Sequence, residues 1–370
     1  MATTKNWKQK LSSFEGAVVE HRDPHLEVIR CGSPSVNALF GNSGAPNRGH
    51  GLPRGFSLLM GGPPKGGKST LVNSFISQFQ KDYPELYVIK IDTEFKESVQ
   101  TDVDDVEKWG IDEDRYICYE RNDVEIADFI TNDVQKMVQD GFPLGLLIND
   151  SFSQMEGFRA SDAATAKKAA SQIGDNARTA QTLMARILPF IRKHKIGFIG
   201  TAHVGAELDQ VEQMRGNKLR IKTAAGTNHR IEYWMMVERD RSAAGKKDLL
   251  DREYVREDAI HTGKEGKQSD VYAHNIKAEM VGSSFGPIER EARFTYDYQR
   301  GIINQHEEVF TLAKQNDIIT LSGLTYSFDG KDFRGKPAML AALESDKKLY
   351  QAVLDAVMIL DSGGHKIAAK

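Results

Sequence analysis

Cysteine is nearly absent: Cys31 and Cys118 are the only two in 370 residues. Two thiols cannot build a disulfide framework, so stability must come from a hydrophobic core, and both fit a reducing compartment as small buried residues. Long apolar runs are missing too. No stretch approaches the roughly 20 residues that a membrane-spanning helix needs, and the opening Met1-Ala2-Thr3-Thr4-Lys5-Asn6-Trp7 carries no apolar signal region. The expectation is a soluble, cytoplasmic protein with no membrane partner. A dominant charge is also lacking, since 49 Lys plus Arg face 52 Asp plus Glu for a net charge of −3. That balance excludes a global pull toward polyanions and confines any nucleic-acid affinity to local basic stretches. Internal repeats and low-complexity tracts do not occur. The length leaves room for one large α/β domain with smaller attachments, or for two domains.

What is present begins with Gly62-Pro63-Pro64-Lys65-Gly66-Gly67-Lys68-Ser69, of the form GxxxxGK[ST]. It follows the apolar run Phe56-Ser57-Leu58-Leu59-Met60, which reads as a buried strand. The glycines allow a tight turn that aims backbone N–H groups at phosphate oxygens, with the positive end of the following helix, from Thr70 on, behind them. Lys68 is expected to reach the β- and γ-phosphates of a nucleoside triphosphate and the Ser69 hydroxyl to hold Mg²⁺.

Further apolar runs alternate with segments of helical period: Leu86-Tyr87-Val88-Ile89-Lys90-Ile91, Leu144-Gly145-Leu146-Leu147-Ile148, Ile196-Gly197-Phe198-Ile199-Gly200 and Tyr233-Trp234-Met235-Met236-Val237. Such alternation predicts a parallel, helix-covered sheet, with ligands at the carboxyl ends of its strands. Those ends read Asp92-Thr93-Glu94, Asn149-Asp150-Ser151 and Thr201-Ala202-His203. Asp150 ends the most apolar run and is the candidate carboxylate that assists Mg²⁺ alongside Ser69. Glu94 is the candidate general base for an attacking water, with Asp92 as the fallback. His203 faces the same mouth and is the candidate group that senses a γ-phosphate. Between Arg239 and Asp270 the chain turns highly charged, which predicts a solvated excursion between two strands. From Gly301 on, short helical patterns and a hairpin signal at Tyr326-Ser327-Phe328-Asp329-Gly330-Lys331 predict a compact C-terminal domain, with a frayed tail beyond Gly363.

These residues carry a resemblance to the RecA/UvsX class of bacterial and phage recombinases that covers nearly the whole chain. Gly51-Leu52-Pro53-Arg54-Gly55 is similar to the family's GLPxG approach to the phosphate loop, and Ile91-Asp92-Thr93-Glu94 resembles its strand ending in the catalytic Glu. Trp109-Gly110-Ile111-Asp112 resembles its LGVD turn, Ile148-Asn149-Asp150-Ser151 its VDS strand end, and Leu324-Thr325-Tyr326-Ser327 its small-domain AWYSY. Ala225-Gly226-Thr227-Asn228 resembles the GGNA that closes the second DNA-binding loop. His203 stands where the family has a switch glutamine, and Lys277 fills the first of two lysine places that reach a neighbouring subunit's ATP, while Glu279 stands near the second. The resemblance implies a RecA-type P-loop ATPase core, a mostly parallel sheet flanked by helices, over residues 36–300. It implies an N-terminal oligomerisation segment over 1–35 and a small α+β domain over 301–370.

Residues 204–229 form a long connection whose second half holds Arg215, Lys218, Arg220 and Lys222, with Arg230 following and no acidic residue between Arg215 and Arg230. Such a cluster gives a sequence-tolerant, salt-sensitive grip on phosphates. With Gly226 and Asn228 it is the expected main DNA loop. Arg159, Lys167 and Lys168 lie where the family has its first DNA loop, although the lysines also suit a solvated helix. Trp7, Leu11, Phe14 and Val18 recur at helical spacing, so an amphipathic helix is expected, docked on a neighbour in a helical filament or on its own core. The function so implied is an ATP- and Mg²⁺-dependent recombinase of a bacterial or phage-infected cell. It would polymerise on single-stranded DNA and pair it with double-stranded DNA, with single-strand-binding or loader proteins as implied accessories. Two alternatives stand beside it: a RecA-type hexameric helicase or motor core, and a nucleotide-gated DNA-binding accessory protein with little ATPase activity.

Overall fold

The computed structural model describes residues 27–41, 50–94, 107–120, 126, 129–152, 169–207, 210, 214, 219–222, 230–255, 271–285, 288 and 290–361. The described chain starts with strand β1 (Val28–Ile29), short helix α1 (Pro34–Ala38) and β2 (Leu52–Pro53), which pairs antiparallel with β1. Ser33 caps α1, its Oγ accepting the Val36 N–H at 3.2 Å, and Pro34 sits at the first helical position, where its missing N–H costs nothing. Next come β3 (Ser57–Gly61), α2 (Lys68–Asp82), β4 (Tyr87–Asp92), β5 (Tyr116–Glu120) and a π-turn leading into α3 (Gln135–Gln139). β6 (Leu144–Asp150), α4 (Ala169–His194), β7 (Gly197–Ala202), a small pair β8 (Val204–Ala206) and β9 (Leu219–Ile221), and β10 (Tyr233–Arg239) follow.

Strands β11 (Ala273–Ser283), β12 (Arg290–Asp297) and β13 (Gly301–Ile303) extend the sheet to nine, in the order β13-β12-β11-β10-β3-β7-β6-β4-β5. All ladders from β10 to β5 are parallel, and the three from β13 to β10 are antiparallel. Every apolar run singled out in the sequence lies in a parallel strand. The antiparallel half carries a different signature: Ile276, Ala278 and Met280 are buried while Lys277 and Glu279 between them are partly exposed. Period-two alternation of this kind marks a sheet with one solvated face.

The same pleat assigns helices to the two faces. Leu58 and Met60 of β3 pack with Leu71, Val72, Phe75, Ile76 and Phe79 of α2, whereas Leu59 between them packs with Leu183, Met184, Ile187 and Ile191 of α4. Each of these side chains is fully buried, and removing one such side chain from water contributes about 1.5–3 kcal/mol. A three-layer sandwich results, with β3 at its centre and both flanking cores anchored on that one strand. This is the architecture expected of a RecA-type core.

The remainder forms a small unit of α5 (Gln305–Gln315), a three-stranded sheet β14 (Thr320–Ser322), β15 (Thr325–Phe328) and β16 (Lys331–Arg334), α6 (Lys336–Ser345) and α7 (Lys347–Asp361). It has its own core around Val309, Phe310, Tyr326, Met339, Leu343 and Val353. Asp329 and Gly330, both at positive φ, make the tight turn that the hairpin signal announced. Gly301–Ile303 is an edge strand of the large sheet, so the helices and small sheet of the C-terminal unit begin at Gln305. The expected N-terminal helix and the frayed tail lie outside the described residues.

Candidate functional site

β3 ends at Gly61, and the loop after it turns back into α2 through Lys65 at φ 59° and Gly67 at φ 105°. Two of the consensus glycines are required by close approach as well. A Cβ at Gly62 would lie 2.1 Å from the carbonyl oxygen of Val237 on β10, and one at Gly67 would lie 2.6 Å from Cδ1 of Ile276 on β11. Gly66 closes the turn, its N–H donating to the Pro63 carbonyl at 3.1 Å. Lys68, the first residue of α2, is buried and folds its ammonium back over the loop, donating to the carbonyls of Gly62 at 2.8 Å and Pro63 at 3.1 Å. Pro64, Lys65 and Ser69 are exposed and Thr70 is half-buried. The first-turn amides of α2 have no carbonyl to accept them within the helix and gather positive potential at its start. A glycine cradle, an ammonium and a helix N-terminus in one place fit a polyphosphate.

Three strand ends converge beside this loop. Ala202 on β7 pairs with Gly61, so His203 follows next to the first residue of the loop. Asp150 on β6 pairs with Asp92 on β4. The Thr201 hydroxyl donates to Asp150 Oδ1, and both residues are buried. The Thr93 N–H donates to the Asp150 carbonyl at 2.8 Å, while Thr93 Oγ1 accepts the Ser151 N–H at 2.7 Å and donates to the Ser151 carbonyl at 3.0 Å. Ser151 Oγ in turn donates to Glu94 Oε1 at 3.3 Å, and that same oxygen lies 3.4 Å from His203 Nε2. The fold therefore brings Glu94, Asp150 and His203 into one connected polar network. Asp92 is buried and its Oδ1 accepts the Glu94 N–H at 2.8 Å, which shapes the turn and leaves Glu94 as the better-presented carboxylate. The hydroxyls of Thr93, Ser151 and Thr201 were not assigned roles from the sequence. Their signal is positional: each lies at a parallel strand end, beside a carboxylate or an imidazole.

The connection after His203 is more ordered than its sequence suggests. β8 and β9 pair antiparallel, with Val204 opposite Ile221 and Ala206 opposite Leu219. The Lys222 N–H donates to the His203 carbonyl at 2.8 Å, so the returning strand is tied to the imidazole residue itself. A Cβ on Gly61 would lie 2.3 Å from Cγ1 of Ile221, which places Ile221 flat on the last residue of β3. Arg220, Lys222 and Arg230 are exposed. Arg159, Lys167, Lys168, Arg215, Lys218, Gly226 and Asn228 lie outside the described residues.

Lys277 is held by carboxylates: its Nζ lies 2.8 Å from Glu291 and 3.4 Å from Glu279, and Glu291 is shared with Arg293 at 2.9 Å. The Glu291 hydrogen bond pushes the Lys277 ammonium up. Lys277 points to the opposite face of β11 from Ile276, which touches Gly67. It is thus not a ligand of this chain's own loop.

On the Ile276 face, His274 lies next in the pleat, and an aromatic shelf that the sequence reading missed surrounds it. The His274 ring is 5.6 Å from Tyr296 and 5.3 Å from Tyr298, and Trp109 stacks on Tyr296 at 6.3 Å and 5°. Lys108 Nζ donates to the Tyr296 hydroxyl at 2.7 Å. Burial, then the charge of Arg239, pushes His274 down to about 4, so its imidazole is neutral at neutral pH. The shelf unites residues 109 and 296, whose distance in sequence hid it.

No protein-family model matches the chain. Among solved structures it is similar to one described as the crystal structure of the RadB recombinase, at 18% identity and a TM-score of 0.46, over 74% of this chain and 98% of that one.

Proposed function

We propose that the chain is an ATP-dependent DNA recombinase that assembles on single-stranded DNA and promotes homologous pairing and strand exchange. One observation carries the reading: the cationic connection is bonded through Lys222 to His203, whose imidazole shares an oxygen of Glu94 beside the phosphate loop. A change of charge at the loop is thereby linked to the segment that would hold a polynucleotide.

The residues divide the work as follows. The cradle of residues 62–70 and the Lys68 ammonium would hold the phosphates, and Ser69 and Asp150 would hold Mg²⁺, with Thr201 fixing the Asp150 carboxylate. Bound MgATP supplies the phosphoanhydride whose cleavage makes the cycle directional. Glu94 orients a water and takes its proton at a carboxylate oxygen, with Ser151 and His203 fixing the other edge of the group. His203 Nε2 sits where it can exchange its Glu94 contact for another anionic partner. Arg220, Lys222, Arg230 and the rest of the basic connection grip the DNA backbone, so fidelity would come from base pairing. Lys277, on the far face, would have to exchange its Glu291 and Glu279 partners for a neighbouring protomer's nucleotide, as head-to-tail filament assembly would require.

The test is ATP turnover with and without single-stranded DNA, followed by strand exchange with Lys68→Ala. The expected result is DNA-stimulated turnover and loss of exchange in the variant. Turnover that stays flat on adding DNA, together with DNA affinity that ignores nucleotide, would sink the reading. The ion pairs that occupy Lys277 favour one second reading, a nucleotide-gated DNA-binding protein with little turnover. That reading wins if DNA binding follows nucleotide while turnover does not follow DNA.

A further inference from the structure

The seam between the core and the C-terminal unit is closed by two consecutive carboxylates in the first turn of α5. Glu307 accepts the Leu249 N–H at 3.0 Å, from the charged excursion after β10. Glu308 reaches the other way: its Oε2 accepts the Ser33 hydroxyl at 2.5 Å and the Ser35 N–H at 3.0 Å, so it caps α1 from a residue 275 positions away. Its second oxygen, Oε1, is buried with no hydrogen-bond partner among the described residues.

A carboxylate removed from water is ordinarily answered by a cation. Among the described residues, the titratable groups that face Glu308 are instead Glu307 on its own helix, the Cys31 thiol ahead of α1 and the Tyr350 hydroxyl on α7. The nearby guanidinium on β12, Arg290, donates to the carbonyls of Ala38 and Gly41 at 3.4 Å each. A cavity of about 750 Å³ opens onto the seam, lined in part by Glu307, Glu308, Lys247, His50 and Lys336. Both glutamates border it and are nonetheless buried.

We propose that this seam is a proton-operated latch: protonated Glu308 fastens the C-terminal unit to α1, and loss of the proton loosens the unit from the core. Burial, opposed by the Ser33 and Ser35 hydrogen bonds, pushes the Glu308 carboxyl up to about 8, against 4.5 for an exposed glutamate. Burial pushes Glu307 up too, opposed by the Leu249 N–H. A group whose proton is held more tightly in the docked state favours docking fully below its undocked pKa. The latch is therefore at full strength below pH 4.5, weakens as pH rises, and is spent above about 8. It does not depend on what binds at the phosphate loop.

Hydrogen exchange of the full chain between about pH 5 and 9, corrected for intrinsic rates, reads docking at the amides of Ser35, Val36 and Asn37. Wild-type protection is expected to fall at least ~10-fold between pH 6 and 8. Glu308→Gln, which keeps an acceptor oxygen and cannot ionise, is expected to stay flat and to exceed wild type at pH 8. A flat wild-type profile, or the same fall in both proteins, overturns the latch. Should the variant fail to fold by circular dichroism, the carboxyl ¹³C titration of Glu308 in the wild type decides. A midpoint near 8 supports the latch, and one near 4.5 overturns it.

Discussion

The mouth of the phosphate loop and the seam under the C-terminal unit both gather carboxylates, and they treat them in opposite ways. At the mouth, Asp150 and Glu94 are met by hydroxyls and an imidazole, donors that hold a carboxylate in one orientation. At the seam, Glu308 is buried, with two donors on one oxygen and, among the described residues, none on the other. The lesson is that residue type does not assign a role. Donors at the edge of a sheet keep a carboxylate ready for a cation or a proton in transit, whereas desolvation makes it hold its own proton.

The sharpest way to break this comparison is to make the same substitution at both places. Glu94→Gln is expected to lower ATP turnover by about 10²–10⁴-fold, the usual contribution of a positioned base. Glu308→Gln should leave turnover per folded molecule unchanged and alter only the pH dependence of docking at the seam. Steady-state kinetics of the two variants side by side checks this, and equal losses would erase the distinction. Next in size is Gly62→Ala, since the added methyl would meet a backbone oxygen at 2.1 Å. Displacing the loop from β10 should cost about 1–3 kcal/mol of stability and abolish binding of a fluorescent nucleotide, measured by thermal melting and titration. Thr201→Val removes the donor to Asp150 and should destabilise by about 1–3 kcal/mol, the penalty of leaving a buried acceptor short. It should also raise the Mg²⁺ concentration that supports half-maximal turnover, and an unchanged Mg²⁺ requirement would remove Asp150 from the metal site. The smallest effect concerns the connection. Arg220→Ala and Lys222→Ala should each flatten the plot of log affinity for single-stranded DNA against log salt by ~0.7, read by fluorescence anisotropy across a salt series.

Much of the mouth was legible in advance because it is written locally. The phosphate loop is a contiguous string, the parallel strands are continuous apolar runs, and each functional side chain lies at the end of one of them. The antiparallel half was harder to see, since β11 and β12 alternate buried and charged residues and so look polar on average. Residues 204–229 read as a structureless connection because β8 and β9 are three residues each, too short for periodicity to register. The aromatic shelf and the Ser33–Glu308 bond escaped for one reason: their members are far apart in sequence, and nothing local marks one as the partner of the other.

The sequence by itself determined the phosphate loop, the central strands and which carboxylates and imidazole stand at their ends, because backbone sterics and the pleat act over neighbouring residues. Tertiary structure alone decided that Glu94 shares one oxygen with Ser151 and His203, that Glu279 and Glu291 claim Lys277, and that Glu308 lies in the dry. Those outcomes depend on strand register and on the packing of one unit against another, which fix distances and solvation that no local pattern encodes.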